Sequence, residues 1–333
     1  MDFIGCKAKI NPWIYSIVSK SIGGRRCMFI DGCSGSGSTS RYFLTCGFDV
    51  IANDLLHFSS SMTEGFVLNY SKSPAAQKYI DEINKLNGKR GFFYDSYSAR
   101  AGRPYFTDSN AQRIDACREF ISTIDDPQIK QYLLYCGLEA LSRVSNTTGV
   151  QAAFLKHFKE RATQQFKLRR EISIDVPNRV ATYTIDIVEL VKKLQTSDSI
   201  LYIDPPFNAR QFGPNYHLYE TFTRYDKPEL IGKTGLRKNW KTESGSTLCN
   251  KVGLFDTLRE IIIYSQSNPI YLSYSSDGIA SIRDILNALD AEITIYTRRG
   301  QRYKSDTNPE RKYNFNPLFD LLFEIKKTSR TFK

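Results

Sequence analysis

The chain has 333 residues, of which 41% are hydrophobic and 24% are charged. These proportions are ordinary for a folded protein and exclude an intrinsically disordered or collagen-like chain. Lys and Arg outnumber Asp and Glu by 46 to 35, and the resulting formal net charge of +11 favours a polyanionic partner.

The seven cysteines and three histidines are scattered, and no CxxC pair occurs. The sequence therefore predicts neither a metal site nor a disulfide framework, and free thiols favour a reducing compartment. The longest unbroken apolar run, Tyr132 to Cys136, has five residues and is too short to span a membrane. Lys7 and Lys9 interrupt the N-terminal segment where a signal peptide needs an apolar stretch. We expect a cytoplasmic protein without a membrane partner.

Strand-like apolar runs occur in two blocks along the chain. The first block contains runs at residues 27–30 and 49–52. The second block contains runs at 180–185, 199–203, 269–274, 292–297 and 318–325, with helical patterns at 252–267 and 278–289. Strands that alternate with helices predict βαβ units and a parallel, doubly wound sheet.

The residues between these blocks have a different composition. Apolar residues at three-to-four spacing predict helices over residues 109–166. Residues 87–170 hold 14 Lys/Arg against 8 Asp/Glu, so this segment carries much of the basic charge. A later segment, 226–251, is rich in Gly, Lys, Thr and Ser without periodicity, which predicts a long loop.

A glycine-rich turn, Asp31-Gly-Cys-Ser-Gly35-Ser-Gly37, follows the first predicted strand. Glycines there allow a ligand to approach the backbone closely at the start of a helix. The P-loop pattern fails because Ser38 stands where its Lys is required, and the dinucleotide pattern fails because Ser40 replaces the third glycine. The turn alone is therefore a weak signal.

An acidic residue, Asp54, closes the next predicted strand, 17 residues after Gly37. A carboxylate at that position can bind a ribose diol, although it can equally cap a helix. Together with the glycine turn, it favours a nucleoside-type ligand.

The segment Asp204-Pro205-Pro206-Phe207 follows another apolar strand. The prolines hold the backbone extended and lack N–H groups, so nearby carbonyl oxygens stay free to accept hydrogen bonds. A carboxylate and a carbonyl could bind the exocyclic amine of a base, while Phe207 stacks on the base. The alternative is a strand-ending turn with a core Phe.

In order along the chain, these motifs resemble those of AdoMet-dependent DNA adenine-N6 methyltransferases of the Dam-like (alpha) group. The resemblance covers nearly the whole chain and rests on Phe3-Ile-Gly5-Cys-Lys7, Asp31 to Gly37, Asp54, Thr184-Ile-Asp186 and Asp204 to Phe207. Segments 208–212 and 215–220 further resemble a subgroup of bacterial restriction–modification methylases.

The resemblance implies a Rossmann-like AdoMet-dependent methyltransferase fold, with residues 1–70 and 171–333 as the catalytic domain. Residues 71–170 would be a mainly helical insert that recognises the DNA target. The implied reaction transfers a methyl group from S-adenosyl-L-methionine (AdoMet) to N6 of an adenine flipped out of duplex DNA, leaving S-adenosyl-L-homocysteine. The implied partners are double-stranded DNA and a cognate restriction endonuclease, and no metal is implied.

The resemblance also assigns roles to individual residues. The catalytic residues it implies are Asp204, Pro205, Pro206 and Phe207. The cofactor-binding residues it implies are Phe3, Lys7, Asp31, Gly35, Gly37, Asp54 and Asp186. From charge and position, the expected DNA contacts are Asn208 and Arg210, then Lys233, Arg237, Lys238 and Lys241 on the long loop, and Arg100, Arg103 and Arg113 in the insert.

Two residues depart from the family pattern. Cys33 stands where the family usually has an aromatic residue, and Phe207 replaces the commoner Tyr. Three alternatives stay open: a cytosine-N4 methyltransferase, which usually has Ser at the position of Asp204; a protein or RNA methyltransferase; and a catalytically silent DNA-binding protein.

Overall fold

The structure is a computed structural model that describes residues 3–68, 70–175, 178–194, 196–300 and 317–327. The chain divides into two compact units. The helical unit comprises the described residues of Met1–Gly5, Leu56–Pro177 and Phe212–Ser244. The sheet unit comprises those of Cys6–Leu55, Asn178–Gln211 and Gly245–Lys333. Residues 71–170 lie within the helical unit, and their proposed role as a target-recognition insert stays a prediction.

The elements follow one another as the alternating pattern indicates. The strands are β1 Met28–Asp31, β2 Asp49–Asn53, β3 Val180–Tyr183, β4 Ser199–Ile203, β5 Leu230–Ile231, β6 Leu236–Arg237, β7 Ile270–Ser275, β8 Glu292–Arg299 and β9 Phe319–Lys326. The helices are α1 Asn11–Ser21, α2 Ser38–Thr45, α3 His57–Val67, α4 Pro74–Lys85, α5 Phe92–Tyr97, α6 Asp108–Ser122, α7 Pro127–Val144, α8 Glu160–Thr163, α9 Ile187–Lys193, α10 Phe212–Asn215, α11 His217–Arg224, α12 Trp240–Ser244, α13 Lys251–Tyr264 and α14 Ile282–Ala288. The predicted strands are confirmed to within two residues at each end.

The main sheet has the order β3-β2-β1-β4-β7-β9-β8. Strands β3, β2, β1, β4 and β7 are parallel to one another. Every residue of β4 and β7 is buried, which explains why both read as continuous apolar runs rather than alternating ones.

The expectation of a wholly parallel sheet is wrong at one edge. Strand β9 lies between β7 and β8 and is antiparallel to both. The apolar pattern of residues 318–325 defines a strand but carries no information on its direction.

Helices cover both faces of the sheet. On one face, apolar side chains of α9, α13 and α14 pack with Leu201, Ile203 and Leu272 of the central strands. On the other face Phe29 stacks on Phe43 of α2 with ring centroids 3.7 Å apart. The predicted helices at 252–267 and 278–289 are confirmed as α13 and α14 with shorter bounds. No helix of the described residues is long and apolar enough to cross a membrane.

The prediction of helices over residues 109–166 is confirmed for α6, α7 and the short α8, and it is wrong for residues 145–159 between α7 and α8. Asn146 is buried and its side chain donates to the carbonyls of Pro104 and Leu155, each at 3.0 Å. Its amide oxygen accepts from the backbone N–H of Lys159 at 3.1 Å. These bonds satisfy backbone groups that a helix would otherwise pair, so the chain runs here as an ordered loop.

The prediction of an unstructured loop over residues 226–251 is also wrong. Strands β5 and β6 form an antiparallel ribbon, and α12 follows. Arg237 of β6 is 2% exposed, and its guanidinium donates to both carboxylate oxygens of Asp226 at 2.8 and 2.7 Å and to Glu243 at 3.1 Å. These ion pairs stabilise the structure of residues 226–251, a segment without the apolar periodicity that would indicate a helix or strand.

Replacing Arg237 by Met should lower the free energy of unfolding by about 2–4 kcal/mol, because Asp226 and Glu243 lose the buried guanidinium and keep only the more exposed Arg224 as a cation. The matched control is Lys238→Met on the same ribbon, whose surface pair with Glu229 should contribute less than about 1 kcal/mol. Urea denaturation of both variants measures the difference, and equal effects would contradict a structural role for Arg237.

Candidate active site

Three carboxylates lie at the same edge of the sheet. Asp31 ends β1, Asp54 directly follows β2, and Asp204 directly follows β4. Strand β1 pairs in parallel with β2 on one side and with β4 on the other, so the three carboxyl ends are adjacent. Open α/β sheets bind their ligands at this edge, which makes it the candidate active site.

The glycine turn is fixed against both neighbouring strands. The N–H of Gly32 donates to the carbonyl of Tyr202 at 2.8 Å, and that of Ser34 donates to the carbonyl of Asn53 at 2.8 Å. Gly35 and Gly37 have φ values of 52° and 70°, the left-handed region in which a Cβ is disfavoured. The turn therefore needs glycine at these positions, and the helix α2 begins directly after Gly37.

Asp54 is bonded to this turn. One carboxylate oxygen of Asp54 accepts from the backbone N–H of Gly35 at 2.8 Å. The preceding residue, Asn53, donates from its side chain to the carbonyls of Gly32 and Ile185 at 3.1 and 3.0 Å. The end of β2 thus orients the turn. We did not predict from the sequence that Asn53 would bind the turn in this way.

Asp31 is buried with an incomplete set of hydrogen bonds. It is 1% exposed, and Oδ2 accepts from the Ser40 hydroxyl at 2.6 Å. Oδ1 has no hydrogen-bond partner within the part of the chain that the structure describes. Burial raises the pKa of Asp31 to about 7 against the lowering effect of Ser40, and the charges of Asp204 and Asp54 add to the rise. A buried acceptor of this kind suits a ligand that brings a donor or a positive charge.

Asp204 is paired with a lysine from the N-terminal segment. The ammonium of Lys7, which is 8% exposed, lies 2.8 Å from Oδ1 of Asp204. It also lies 4.5 Å from the centroid of the Phe207 ring. Burial raises the pKa of Asp204 above its ordinary value, although the charge and hydrogen bond of Lys7 oppose that rise.

Strand β7 and the segment that follows it contact the Phe207 ring and its turn. Tyr274 meets the ring edge-on, with centroids 5.5 Å apart at 73°. The backbone N–H of Ile279 donates to the Phe207 carbonyl at 2.9 Å. The sequence pattern did not lead us to predict that Tyr274 supports this site. Its position near the end of the strand next to β4 is the feature that could have indicated it.

Cys33, which departs from the family pattern, lies among the three carboxylates. Burial raises the pKa of its thiol well above the ordinary value, and the charges of Asp54, Asp31 and Asp204 act in the same direction. A neutral thiol at this position adds no further charge to an edge that is already acidic.

The remaining predicted site residues of the sheet unit lie around this edge. Asp186 caps α9 by accepting from the N–H of Val188 at 2.8 Å. Asn208 and Arg210 are exposed on the turn after Phe207, where the Asn208 side chain accepts from the N–H of Arg210 at 2.9 Å. Roles of Asp186 in cofactor binding and of Asn208 and Arg210 in DNA binding stay predictions.

Phe3 belongs to the helical unit, whereas the other predicted cofactor residues belong to the sheet unit. Its ring stacks on Tyr216 with centroids 4.3 Å apart and on Phe212 at 5.6 Å. The adjacent N–H of Ile4 donates to the Tyr216 hydroxyl at 2.7 Å. The structure therefore shows an aromatic stack for Phe3, and its contact with a cofactor stays a prediction.

Two of the arginines predicted to contact DNA bind groups within the helical unit. Arg113 donates to three backbone carbonyls, those of Phe166, Leu86 and Asn84, at 3.0, 3.3 and 2.9 Å. Arg237 pairs with Asp226 and Glu243, so both guanidiniums stabilise the helical unit, and their contacts with DNA stay predictions. The sequence shows the charge of an arginine but not the carbonyls and carboxylates that surround it in the fold.

The other basic residues predicted to bind DNA differ in their exposure and in the groups that they contact. Arg103 donates to the carbonyls of Ser96 and Lys233, each at 3.2 Å. Arg100, Lys233, Lys238 and Lys241 are exposed, and Lys238 pairs with Glu229 at 2.8 Å. Their DNA contacts stay predictions.

Comparison with known proteins agrees with this geometry. The chain is 30% identical to the type II methyltransferase M.NlaIII of Neisseria lactamica, over 98% of this chain and 100% of that protein. It is 32% identical to the type II methyltransferase M.FokI of Planomicrobium okeanokoites, over 98% of this chain but about half (53%) of that longer protein. It is 29% identical to M.CviAII of Paramecium bursaria Chlorella virus 1, over 92% of this chain and 93% of that protein.

The seven-stranded, mostly parallel sheet is consistent with the Rossmann-like methyltransferase fold. The family model for D12 class N6 adenine-specific DNA methyltransferases matches residues 3–287, which include all three carboxylates of the sheet edge and the Asp204 to Phe207 turn. A match of this extent shows that the chain belongs to the D12 class N6 adenine-specific DNA methyltransferases.

Proposed function

We propose that this protein is the modification enzyme of a type II restriction–modification system and methylates N6 of an adenine flipped out of duplex DNA, with AdoMet as the donor. The main observation behind this proposal is that Lys7 contacts both the Asp204 carboxylate and the Phe207 ring, at the sheet edge where Asp31 and Asp54 also lie. Relatives named as type II methyltransferases support the assignment to restriction–modification. The cytosine-N4, RNA, protein and catalytically silent alternatives have no comparable support.

The residues at the glycine turn fit AdoMet. Gly35 and Gly37 leave room for close approach of a ligand to the backbone. Asp31 offers a buried oxygen without a partner in the described chain, which suits the positively charged methionine part of the cofactor. Asp54 would bind the ribose hydroxyls while it keeps its bond to Gly35. When bound, AdoMet supplies a methyl group made electrophilic by its sulfonium.

The target adenine would be held by the turn after β4. Its N6 lies inside the DNA stack and becomes reachable only when the base is flipped out. Asp204 and the carbonyl of Pro205 would accept the two N6 hydrogens, and Phe207 would stack on the ring. These acceptors would orient the N6 lone pair towards the methyl donor. The N6–methyl bond would form as the methyl–sulfur bond of AdoMet breaks and releases S-adenosyl-L-homocysteine, and the N6 proton would pass to Asp204. The rate enhancement comes from positioning and electrostatic support.

Duplex DNA would be bound by the exposed basic residues. Arg210 and Asn208 follow the catalytic turn in the sheet unit, while Arg100, Lys233, Lys238 and Lys241 are exposed in the helical unit. Phosphate contacts from such side chains supply affinity that is independent of sequence and falls with salt. A cognate restriction endonuclease would cleave the same target when it lacks the methyl group.

Asp204→Asn should keep AdoMet affinity and lose at least roughly 100-fold in turnover, because the amide weakens a preorganised charge aimed at the reacting amine. Transfer of label from AdoMet to unmethylated phage DNA, with RNA and protein as controls, measures the turnover. Calorimetry on the same variant measures cofactor affinity. Near-normal turnover would remove Asp204 from the mechanism.

Asp54→Asn should show the opposite pattern. Loss of a charged hydrogen bond to the ribose should weaken AdoMet binding by roughly 1.5–3 kcal/mol. The matched control is Asp49→Asn at the other end of β2, where Asp49 pairs with the exposed Arg179. Unchanged calorimetric affinity in Asp54→Asn would leave Asp54 with a purely structural bond to the turn.

The affinity for AdoMet should depend on pH through Asp31. The pKa of this carboxyl is raised to about 7, so it is protonated below that pH and ionised above it. Because a cationic cofactor binds the ionised form better, affinity should rise roughly tenfold between about pH 5.5 and pH 7.5. Calorimetry across this range should show the rise in the natural protein and its loss in Asp31→Asn. The same pH dependence in both proteins would exclude Asp31 from the cofactor site.

A further inference from the structure

Lys7 lies where the target adenine would have to lie. Its ammonium is 2.8 Å from Oδ1 of Asp204 and 4.5 Å above the centroid of the Phe207 ring. The proposed adenine site makes the same two demands, a hydrogen bond from the amine to Asp204 and contact with the face of Phe207. The ammonium of Lys7 meets both demands at once, so it occupies a location at which an adenine amine could meet them too.

The ammonium and a stacked base exclude each other from this location. A base in contact with the ring places its atoms about 3.5–4 Å from the ring atoms. The Lys7 ammonium at 4.5 Å from the centroid lies within the volume that such a base fills. The side chain of Lys7 must therefore move before an adenine can stack on Phe207 and reach Asp204.

The backbone at Lys7 is held while its side chain spans the site. The carbonyl of Lys7 accepts from the N–H groups of Ile10 and Asn11, each at 2.8 Å, at the start of α1. A long side chain on a fixed backbone can withdraw by rotation about its own bonds, without unfolding the segment.

The ion pair with Lys7 stabilises the Asp204 carboxylate while no base is bound. An ionised carboxylate that is buried without a donor is costly, and so is a buried ammonium without an acceptor. Lys7 and Asp204 form an ion pair at 2.8 Å, and the ring of Phe207 adds a cation–π contact. The adenine amine brings a donor of its own to Asp204 and so replaces the one that Lys7 withdraws.

We propose that Lys7 is a positioning residue that occupies the adenine site in the DNA-free enzyme, keeps Asp204 ionised and aligned, and is displaced by the amine of the flipped base. This inference rests on the proposed function, since it takes Asp204 and Phe207 as the adenine site. It gives Lys7 a role at the base rather than the cofactor contact expected from the sequence.

Other groups also act on Asp204. Asp320 of β9 raises the pKa of Asp204 by its charge, and the hydroxyl of Ser273 in β7 lowers it. Asp31 of β1, Cys33 of the glycine turn and Tyr202 of β4 interact with the same carboxylate. Lys7 is the cation among these neighbours, so its removal should have the largest effect on when Asp204 ionises.

The test compares the pH dependence of two rate constants for methylation of unmethylated phage DNA with saturating AdoMet. The acid limb of kcat/KM reports the free enzyme, and that of the single-turnover rate at saturating DNA reports the complex. Lys7→Met should shift the kcat/KM limb upward by about one pH unit or more, because a neighbouring cation lowers a carboxyl pKa by about 1–3 units. The single-turnover limb should stay in place, because Lys7 has already been displaced in that complex.

Two variants control the comparison. Lys9→Met removes an exposed charge two residues away and should move neither limb. Lys7→Arg keeps the charge and should restore the natural kcat/KM limb. If both limbs shift together in Lys7→Met, Lys7 remains at Asp204 in the complex and displacement is wrong. If neither limb shifts, Lys7 has no functional contact with Asp204.

A measurement without DNA separates this inference from the proposed function. Titration of 13C-labelled aspartate carboxyls, with the Asp204 signal identified by its loss in Asp204→Asn, gives the pKa of Asp204 directly. Lys7→Met should raise that pKa by about one unit or more, whether or not the enzyme methylates the DNA offered. An unchanged value would overturn the inference. A raised value with no methylation by the natural enzyme would overturn the proposed function and leave only the contact of Lys7 with Asp204. Where Lys7→Met fails to fold, Lys7→Gln serves in the same titration.

Discussion

The site depends on the parallel pairing of β2, β1 and β4, because it brings three carboxylates to one edge of the sheet. Burial disfavours the ionised form of a carboxyl, and here it raises the pKa of Asp31 to about 7, with the charges of Asp204 and Asp54 adding to the rise, and it also raises the pKa of Asp204. The fold offsets this cost with a few well-placed groups: the Ser40 hydroxyl, the N–H of Gly35 and the ammonium of Lys7. A cationic methyl donor and a base amine are ligands that such an edge can bind.

This arrangement joins the packing of the sheet to its chemistry. Strand β4 is buried along its whole length, so the turn that follows it is fixed relative to the core. The prolines after Asp204 hold the backbone extended, and Tyr274 and Ile279 hold the ring and the carbonyl of Phe207. The groups proposed to contact the base are thus placed by rigid elements, which is what catalysis by positioning requires.

The basic side chains of the helical unit fall into two groups, those that bind other groups of the protein and those that are exposed. Arg113 and Arg237 are directed inward and connect loops and helices through carbonyls and carboxylates. Arg118 does the same, donating to the carbonyls of Phe222 and Thr223. The net charge of the chain therefore overstates the number of guanidiniums that can reach a phosphate. Within the helical unit, the proposed phosphate contacts therefore rest on exposed residues such as Arg100 and Lys233.

The sequence by itself determined the strands, their alternation with helices, and the acid or glycine at the end of each strand that forms the site. These are local properties, because apolar periodicity and turn residues act over a few positions. The tertiary structure alone decided the antiparallel direction of β9, the ordered loop at Asn146, the inward cross-link of Arg237 and the contact of Lys7 with Asp204. Each of these depends on which groups from distant parts of the chain meet, and no spacing within the sequence encodes the distance between residues 7 and 204.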